Sequence, residues 1–199
     1  MEPIIVVECK EPDGVIERKV YPFVLTQENG LKFWQQAKKF PRFYERVNTE
    51  SAQEFLDAFF KYDPFRQEAT SEALLWVIDD FVGVFSLTNI YHPEDAIAHF
   101  TFFDKRTKGR GPLIQGMIKW VFDNYGFNRL SVEIPAYASK ILFKFLDEEV
   151  GLVLEGRKRK ALKYRDKPAD IILYGITPED IEIWERRKQK QLGAELLHQ

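Results

Sequence analysis

Apolar runs and the breaks between them divide the first third of the chain into short elements. Residues 4–8 predict a strand, and the turn signal at 12–14 separates it from a second extended piece at 15–25. Thr26 is a suitable cap for a helix that runs to about residue 39. A Ser51–Glu54 capping box predicts a further helix, which would group apolar residues through Phe59 and Phe60.

The middle of the chain changes to a strand period. Residues 73–78 and 82–90 flank Asp79-Asp80 as a hairpin, and 96–103 is an apolar run of strand length. A helix is expected to begin near Pro112 and to close at Gly126. Its apolar positions recur at helical spacing: Ile114, Met117, Ile118, Val121, Phe122 and Tyr125.

In the last third of the chain, predicted strands and helices again follow one another. A strand at 130–134 precedes a helix at 137–149, with Ile141 among the residues expected to face inward. Two strands follow, at about 152–163 and 170–176, and the 178–199 segment holds a terminal helix or tail. The order predicts an α/β fold with a mixed sheet.

Composition narrows the class of protein. The chain has 199 residues, and 29 basic against 31 acidic side chains leave a net charge of −2, which excludes a wholly basic nucleic-acid binder. Cys9 is the one cysteine, so neither an internal disulfide nor a thiolate-rich metal site can form, and the three histidines share no ligand spacing. No secretory or membrane segment is recognised. We therefore expect a single domain over residues 1–199, in the cytoplasm, with no metal and no membrane partner.

The segment between the strand at 96–103 and the following helix carries the most chemical information. Gly109 and Gly111 let backbone approach a ligand closely, and helix N-terminal amides attract anions. Cationic side chains surround this point: Lys105, Arg106, Lys108 and Arg110. The pattern suits a pyrophosphate, although a glycine-rich turn without a ligand has the same appearance. It is neither a P-loop nor a dinucleotide fingerprint.

Arg106-x-x-Gly109-x-Gly111, placed between an apolar strand and an amphipathic helix, resembles the acyl-CoA signature of the GNAT family of N-acetyltransferases. The resemblance covers about residues 73–180. It is similar to the branch that acetylates ribosomal-protein and other protein N-terminal amines. That branch's closing pattern is matched by Val150-Gly151-Leu152, Glu155-Gly156, Arg159-x-Ala161 and Asp170-x-x-x-Tyr174.

The resemblance implies a GNAT-like, mixed, V-splayed central β-sheet flanked by α-helices. Acetyl-CoA would be the cosubstrate. The end of the strand, with Phe102 and Phe103, would pair main-chain groups with the pantetheine arm. Amides of the loop would bind the pyrophosphate: Arg106, Thr107, Lys108, Gly109, Arg110 and Gly111. The acceptor would be a primary amine, from a small molecule or a protein N-terminus, which attacks the thioester directly.

Four residues are candidates for proton transfer. His99 and Glu133 lie on strands and could accept the amine's proton, directly or through water. Tyr137 and Ser139 begin the helix near the expected thiol position and could protonate or stabilise the departing thiolate. Each also has a purely structural interpretation: a packed histidine, an exposed carboxylate, or an ordinary helix-start residue.

The chain departs from the family at two positions. Ala136 or Tyr137 stands where many members have Asn, and Phe143 or Phe145 occupies the region of a later Tyr. A non-catalytic acyl-CoA-binding protein is therefore one alternative. Another is an RNA- or ribosome-binding module, because residues 157–167 contain seven basic residues in eleven. The sequence does not predict the oligomeric state.

Overall fold

The computed structural model describes residues 2–11, 14–39, 51–57, 60–63, 68–71, 73–104 and 107–196. The strands are β1 Ile5–Glu11, β2 Gly14–Pro22, β3 Phe60–Asp63, β4 Glu68–Ser71, β5 Leu74–Ile78, β6 Gly83–Tyr91, β7 Asp95–Phe102, β8 Leu130–Pro135, β9 Val153–Tyr164 and β10 Lys167–Ile176. The helices are α1 Gln27–Lys39, α2 Ala52–Asp57, α3 Arg110–Tyr125, α4 Lys140–Phe145 and α5 Pro178–Leu196, and a π-helical turn, Leu146–Val150, follows α4.

Among these residues, the strands form an eight-stranded sheet and a separate β3–β4 pair. The order in the large sheet is β1-β2-β5-β6-β7-β8-β10-β9. β7 runs parallel to β8, with Ile97 opposite Ser131, whereas β10 pairs antiparallel with both β8 and β9. The predicted mixed α/β architecture is confirmed, while the V-shaped opening of the sheet stays a prediction.

The chain forms two compact units, and the first comprises Met1–Ile90 with Ala98–Leu113. Its core is built on aromatic and aliphatic side chains of the early helices and of the β5–β6 hairpin: Phe33, Ala37, Phe55, Leu75, Val77, Phe81 and Val84. Thr26 and Ser51 cap α1 and α2 by accepting the amides of Asn29 and Glu54, each at 3.1 Å. The predicted helix starts are thus confirmed.

The second unit comprises Tyr91–Ile97 with Ile114–Gln199. Met117, Ile118 and Val121 of α3 are fully buried, as the helical spacing predicts. In this unit Ser131 of β8 donates to the Asp95 carboxylate of β7 at 2.7 Å. The division does not decide whether the chain folds as one domain, so that expectation stays a prediction.

Three sequence predictions differ from the structure. α3 begins two residues before Pro112, because the Gly109 carbonyl already accepts the Leu113 amide at 3.2 Å. α4 begins at Lys140, with Ser139 as its cap, and Ile141 is 81% exposed, so its inward placement was wrong. Phe60 begins β3 and does not extend a helix. Phe59 lies outside the described residues.

Candidate functional site

The described parts of the loop that joins β7 to α3, residues 103–104 and 107–109, are hydrogen-bonded to each other. Asp104 accepts hydrogen bonds through its backbone carbonyl from the amide of Thr107 at 3.1 Å and from its hydroxyl at 2.7 Å. The predicted site residue Arg106 and its neighbour Lys105 lie outside the described residues. The turn brings Thr107, Lys108 and Gly109 to the N-terminal end of α3.

Gly109 occupies a position that a side chain would not fit. Its φ of +72° is left-handed, and a Cβ there would lie 2.5 Å from the Cys9 sulfur. Its carbonyl caps α3 through Leu113, which makes Arg110 and Gly111 the first helical residues. First-turn amides have no partner within a helix and carry partial positive charge, so this end of α3 can bind an anion.

The side chain of Arg110 turns back on the loop. Its guanidinium donates to the Thr107 carbonyl at 2.9 Å and to the Asp104 carbonyl at 3.0 Å. It also lies over the Phe102 ring, 5.2 Å from the centroid, and burial lowers its pKa. The Arg110 side chain therefore stabilises the loop through the Thr107 and Asp104 carbonyls.

The β1–β2 hairpin holds the same loop, a relationship that sequence analysis missed. The Arg18 guanidinium donates twice to the Lys108 carbonyl, at 3.3 and 3.2 Å, and once to the Asp79 carboxylate at 2.9 Å. The buried Cys9 thiol donates to the Gly109 carbonyl at 3.3 Å. Two consecutive loop carbonyls are thus bound by residues about 90 to 100 positions earlier, too distant for any local signal.

The remaining candidates of the first unit lie on β7 and just after it. A ring nitrogen of His99 is 2.8 Å from the Thr88 hydroxyl, a contact in which either group can donate. Phe103 packs against the aromatic core, and its amide donates to the Val82 carbonyl at 2.9 Å. That amide is thus engaged within the sheet. Phe102 is half-buried beneath Arg110.

In the second unit, Glu133, Tyr137 and Ser139 follow one another around the end of β8. The Glu133 carboxylate accepts a hydrogen bond from the Lys158 ammonium of β9. The exposed Tyr137 ring stacks on Tyr164 with centroids 3.9 Å apart. Ser139 caps α4, accepting the Leu142 amide at 3.2 Å. The serine hydroxyl hydrogen can still donate, because the cap uses only an oxygen lone pair.

Asp170 organises the β9–β10 hairpin beside these residues. Its carboxylate accepts the Lys160 amide at 2.7 Å and the Arg157 guanidinium at 2.6 Å. These contacts, led by the Lys160 amide, hold the pKa of Asp170 below its ordinary value. Tyr174 on β10 is buried, and burial followed by the charge of Asp147 raises the pKa of its hydroxyl.

Glu155 of the Glu155-Gly156 pair takes part in an ion pair within the second unit. Its carboxylate accepts from Arg129 at 2.6 Å, close to the backbone of Gly175. A Cβ on Gly175 would lie 2.6 Å from the Arg129 guanidinium, so a side chain there would displace this ion pair. Glu155 thus has a contact within the fold.

The basic segment 157–167 is partly neutralised. Arg157 pairs with Asp170, Lys158 with Glu133, and Lys163 with Asp166. It forms most of β9 and the turn after it, at the edge of the sheet, where cationic side chains oppose pairing with another strand. These contacts give the segment a role within the fold.

A pocket of about 520 Å³ opens on the α4 side of β10. Its lining is mostly apolar: Ala136, Phe143, Leu154, Gly156, Arg157, Ile172 and Tyr174. The Phe143 and Tyr174 rings stack across it at 6.4 Å. The described residues contain no cluster of three or more His, Cys, Asp or Glu side chains suited to a metal ion. Nor do they include a helix long and apolar enough to span a bilayer.

Comparison by sequence gave no matching family model and no similar curated protein. Comparison of folds gave many matches. Spermidine N-acetyltransferase from Vibrio cholerae, solved with CoA and spermine, has a TM-score of 0.63 at 14% identity, covering 81% of this chain and 97% of that one. RimJ from Mycobacterium smegmatis, solved with CoA-disulfide, has a TM-score of 0.61 at 16% identity, covering 90% and 91%.

Ribosomal-protein-S5-alanine acetyltransferase from Vibrio fischeri matches with a TM-score of 0.58 at 15% identity, over 82% of this chain and 94% of that one. The sheet order, the glycine-rich entry into α3 and these matches agree with the resemblance carried by the Arg106–Gly111 motif. The chain therefore has the fold of the GNAT acetyltransferases.

Proposed function

We propose that this protein is an acetyl-CoA-dependent N-acetyltransferase that acts on a primary amine. The observation that carries the proposal is the Thr107–Gly111 entry into α3. There Gly109 is left-handed and closely packed, and two successive carbonyls are bound by the β1–β2 hairpin. A side-chain-free backbone held from outside, at the N-terminus of a helix, supports close approach of an anionic ligand.

The cosubstrate assignment follows from the chemistry of that entry. Amides at a helix start suit the pyrophosphate of CoA, because they donate hydrogen bonds and complement negative charge. Two proteins of the same fold, spermidine N-acetyltransferase and RimJ, were solved with CoA or CoA-disulfide. Phe102 is the last residue of β7, and its main chain is the part of this strand that we assign to the pantetheine arm.

The reaction is direct aminolysis of a thioester. The amine nitrogen forms a bond to the acetyl carbon, and the carbon–sulfur bond breaks. Starting from the neutral amine, the nitrogen loses one proton as the amide forms, and the CoA thiolate gains one. A protonated amine must first give up a further proton to a base, because only the neutral form attacks.

Glu133 and His99 remain the candidates for the base, and Ser139 and Tyr137 for the donor to sulfur. Glu133 is favoured as base because its carboxylate is held in one orientation by Lys158. Ser139 is favoured as donor because its position is fixed by the α4 cap. A fixed donor stabilises developing charge without reorganisation.

The acceptor class is a primary amine on a small molecule or a protein N-terminus. The proteins of similar fold differ in this respect: one is a spermidine acetyltransferase and another acts on ribosomal protein S5 alanine. At 14–15% identity neither acceptor is transferred to this chain.

Calorimetric titration with acetyl-CoA tests the proposal. We expect one-to-one binding with a micromolar dissociation constant, retained by dephospho-CoA, which keeps the pyrophosphate, and much weaker for ATP. Gly109→Ala should weaken binding by at least tenfold, because the new Cβ meets Cys9. Gly126→Ala is the matched control: Gly126 also has a positive φ, of +67°, but nothing lies within 4 Å of its Cβ position.

Absence of binding at millimolar acetyl-CoA by the wild-type protein would overturn the proposal. Turnover is then measured with a panel of polyamines, amino acids and peptides with free N-termini, by release of the CoA thiol. Binding without release across the whole panel would favour the non-catalytic alternative.

A further inference from the structure

The β1–β2 hairpin reaches the α3 entry with two side chains, Arg18 and Cys9, that the acetyl-transfer chemistry does not use. Arg18 is mostly buried, with 15% of its side chain exposed, and it contacts both Asp79 and the Lys108 carbonyl. Cys9 is fully buried against Gly109. The two contacts come from different strands and end on adjacent carbonyls.

Asp79 is itself fixed, so Arg18 has a rigid support. The Asp79 carboxylate accepts the Lys19 amide at 2.9 Å, and the Asp79 amide donates to the Lys19 carbonyl at 2.7 Å. The same carboxylate accepts Arg18 at 2.9 Å. A guanidinium group is planar and rigid. When a carboxylate binds one of its N–H groups, the remaining N–H groups point in fixed directions.

Because peptide groups are planar, the contacts of Arg18 and Cys9 with the loop carbonyls also fix the directions of the adjoining amide N–H groups. The Lys108–Gly109 and Gly109–Arg110 bonds are trans, so each carbonyl points opposite to the N–H of the same peptide plane. The Lys108 carbonyl points to Arg18, and the Gly109 carbonyl points towards Cys9. The amides of Gly109 and Arg110 therefore point away from the hairpin.

We propose that Arg18, supported by Asp79 and assisted by Cys9, is a positioning residue that aims the Gly109 and Arg110 amides at the pyrophosphate of CoA. This inference rests on the proposed function. Arg18 does not contact the cosubstrate. It fixes the plane of the Lys108–Gly109 peptide, whose amide would contact the pyrophosphate. Cys9 fixes the plane of the Gly109–Arg110 peptide and fills the space that a Gly109 side chain would need.

The test compares acetyl-CoA binding by wild type, Arg18→Met, Arg18→Lys and Arg129→Met, well below each melting temperature. We expect Arg18→Met to weaken binding about tenfold, the size of effect of losing hydrogen bonds from a charged donor. Arg18→Lys should restore little of the acetyl-CoA affinity, since lysine lacks the planar guanidinium group that binds Asp79 and the Lys108 carbonyl together. Arg129 is the matched control because it is also a partly buried arginine with carboxylate partners, and its partners among the described residues are Asp95, Glu155 and Ser131.

Arg129→Met should lower the melting temperature and leave the dissociation constant within twofold of wild type. A general loss of stability would affect both arginine variants alike, whereas a positioning role affects only Arg18. Amide spectra of the protein with saturating CoA provide a second readout. The Gly109 and Arg110 signals should shift in wild type, and shift markedly less in Arg18→Met.

Two milder variants keep the inference testable if Arg18→Met fails to fold. Asp79→Asn loosens the support of Arg18, and Cys9→Ala removes the thiol donor, which Cys9→Ser restores. Each of Asp79→Asn and Cys9→Ala should weaken acetyl-CoA binding by a few fold. If wild type binds acetyl-CoA and every folded hairpin variant binds it equally, the inference is wrong. If wild type itself does not bind, the proposed function fails instead.

Discussion

The carboxylate of Glu133 on β8 is paired with the ammonium group of Lys158 on the edge strand β9. The pair links the end of β8 to the basic segment 157–167 across β10, which lies between β8 and β9 in the sheet. Of the Glu133 side chain, 19% remains exposed, so a substrate proton can still reach it through water. The candidate base Glu133 is thus held in one orientation by a cation of the basic segment 157–167, which the sequence offered as a nucleic-acid contact.

Glu133→Gln should lower kcat by about a hundredfold and leave acetyl-CoA binding unchanged, because general bases contribute at least that factor. Lys158→Met should also lower kcat, because the Glu133 carboxylate is then no longer held in one orientation. Lys163→Met is the control, since it removes another ion pair of the same strand, to Asp166. Rates are measured from pH 5 to 9. Full turnover by Glu133→Gln at every pH would exclude Glu133 as the base.

Substitutions of Ser139 separate helix capping from catalysis. Ser139→Ala should lower the free energy of unfolding by about 1 kcal/mol through loss of the cap, and Ser139→Asp should retain that stability. Both variants lack a hydroxyl donor, so both should lower kcat at least tenfold with unchanged acetyl-CoA binding. Chemical denaturation and steady-state rates give the two quantities. Wild-type turnover by Ser139→Asp would mean that Ser139 serves only as the helix cap of α4.

Tyr137→Phe removes a hydroxyl and retains the stacking on Tyr164. We expect lower kcat if this hydroxyl assists the departing thiolate, with little change in melting temperature. Tyr164→Phe, on the other ring of the stack, should leave both unaffected. Unchanged rates in both Tyr137→Phe and Ser139→Ala would mean that neither residue donates to sulfur.

Asp170 makes stability depend on pH in acid. Its folded pKa is depressed, chiefly by the Lys160 amide, so its stabilisation is complete above the unfolded pKa of about 3.9 and is lost as pH falls through the folded pKa. The stability difference between wild type and Asp170→Asn should therefore be constant from pH 6 to 8 and shrink below about pH 4. Denaturation at several pH values measures it. Asp166→Asn, at an exposed turn, should show no comparable trend.

The two-residue turn between β9 and β10 is strained. Arg165 and Asp166 have φ values of +48° and +62°, the pattern that favours Asn-Gly in such hairpins. Replacing the pair with Asn-Gly should raise the free energy of unfolding by about 1 kcal/mol. Asp166→Asn alone isolates the loss of its exposed ion pair with Lys163, which should matter little. A lower melting temperature in the double variant would contradict this.

Much of the fold follows from local pattern. The α3 helix, the β5–β6 hairpin and the β8, β9 and β10 strands have clear periods and strong boundaries, and each was predicted within a few residues. The outward placement of Ile141 was missed because four neighbouring apolar positions of α4 leave its inward face ambiguous. The structure turns Leu142, Phe143 and Leu146 inward and leaves Ile141 exposed.

The candidate site was less predictable than the fold. The Gly109 and Gly111 motif is local and could be recognised. The contacts that hold it come from Arg18, Asp79 and Cys9, which looked like an ordinary strand cation, a hairpin carboxylate and a lone thiol. Nothing in the residues around any of these three specifies a partner so far along the chain.

The separation between the hairpin and the loop also affects how the protein folds. Contacts that join residues 90 and 100 positions apart close a large part of the chain, and their entropic cost must be met before they contribute. During synthesis, Arg18 and Cys9 leave the ribosome long before Lys108 and Gly109 exist. The hairpin can therefore fold early, while the α3 entry acquires its final shape only when distant parts of the chain meet, which makes it one of the last features to form.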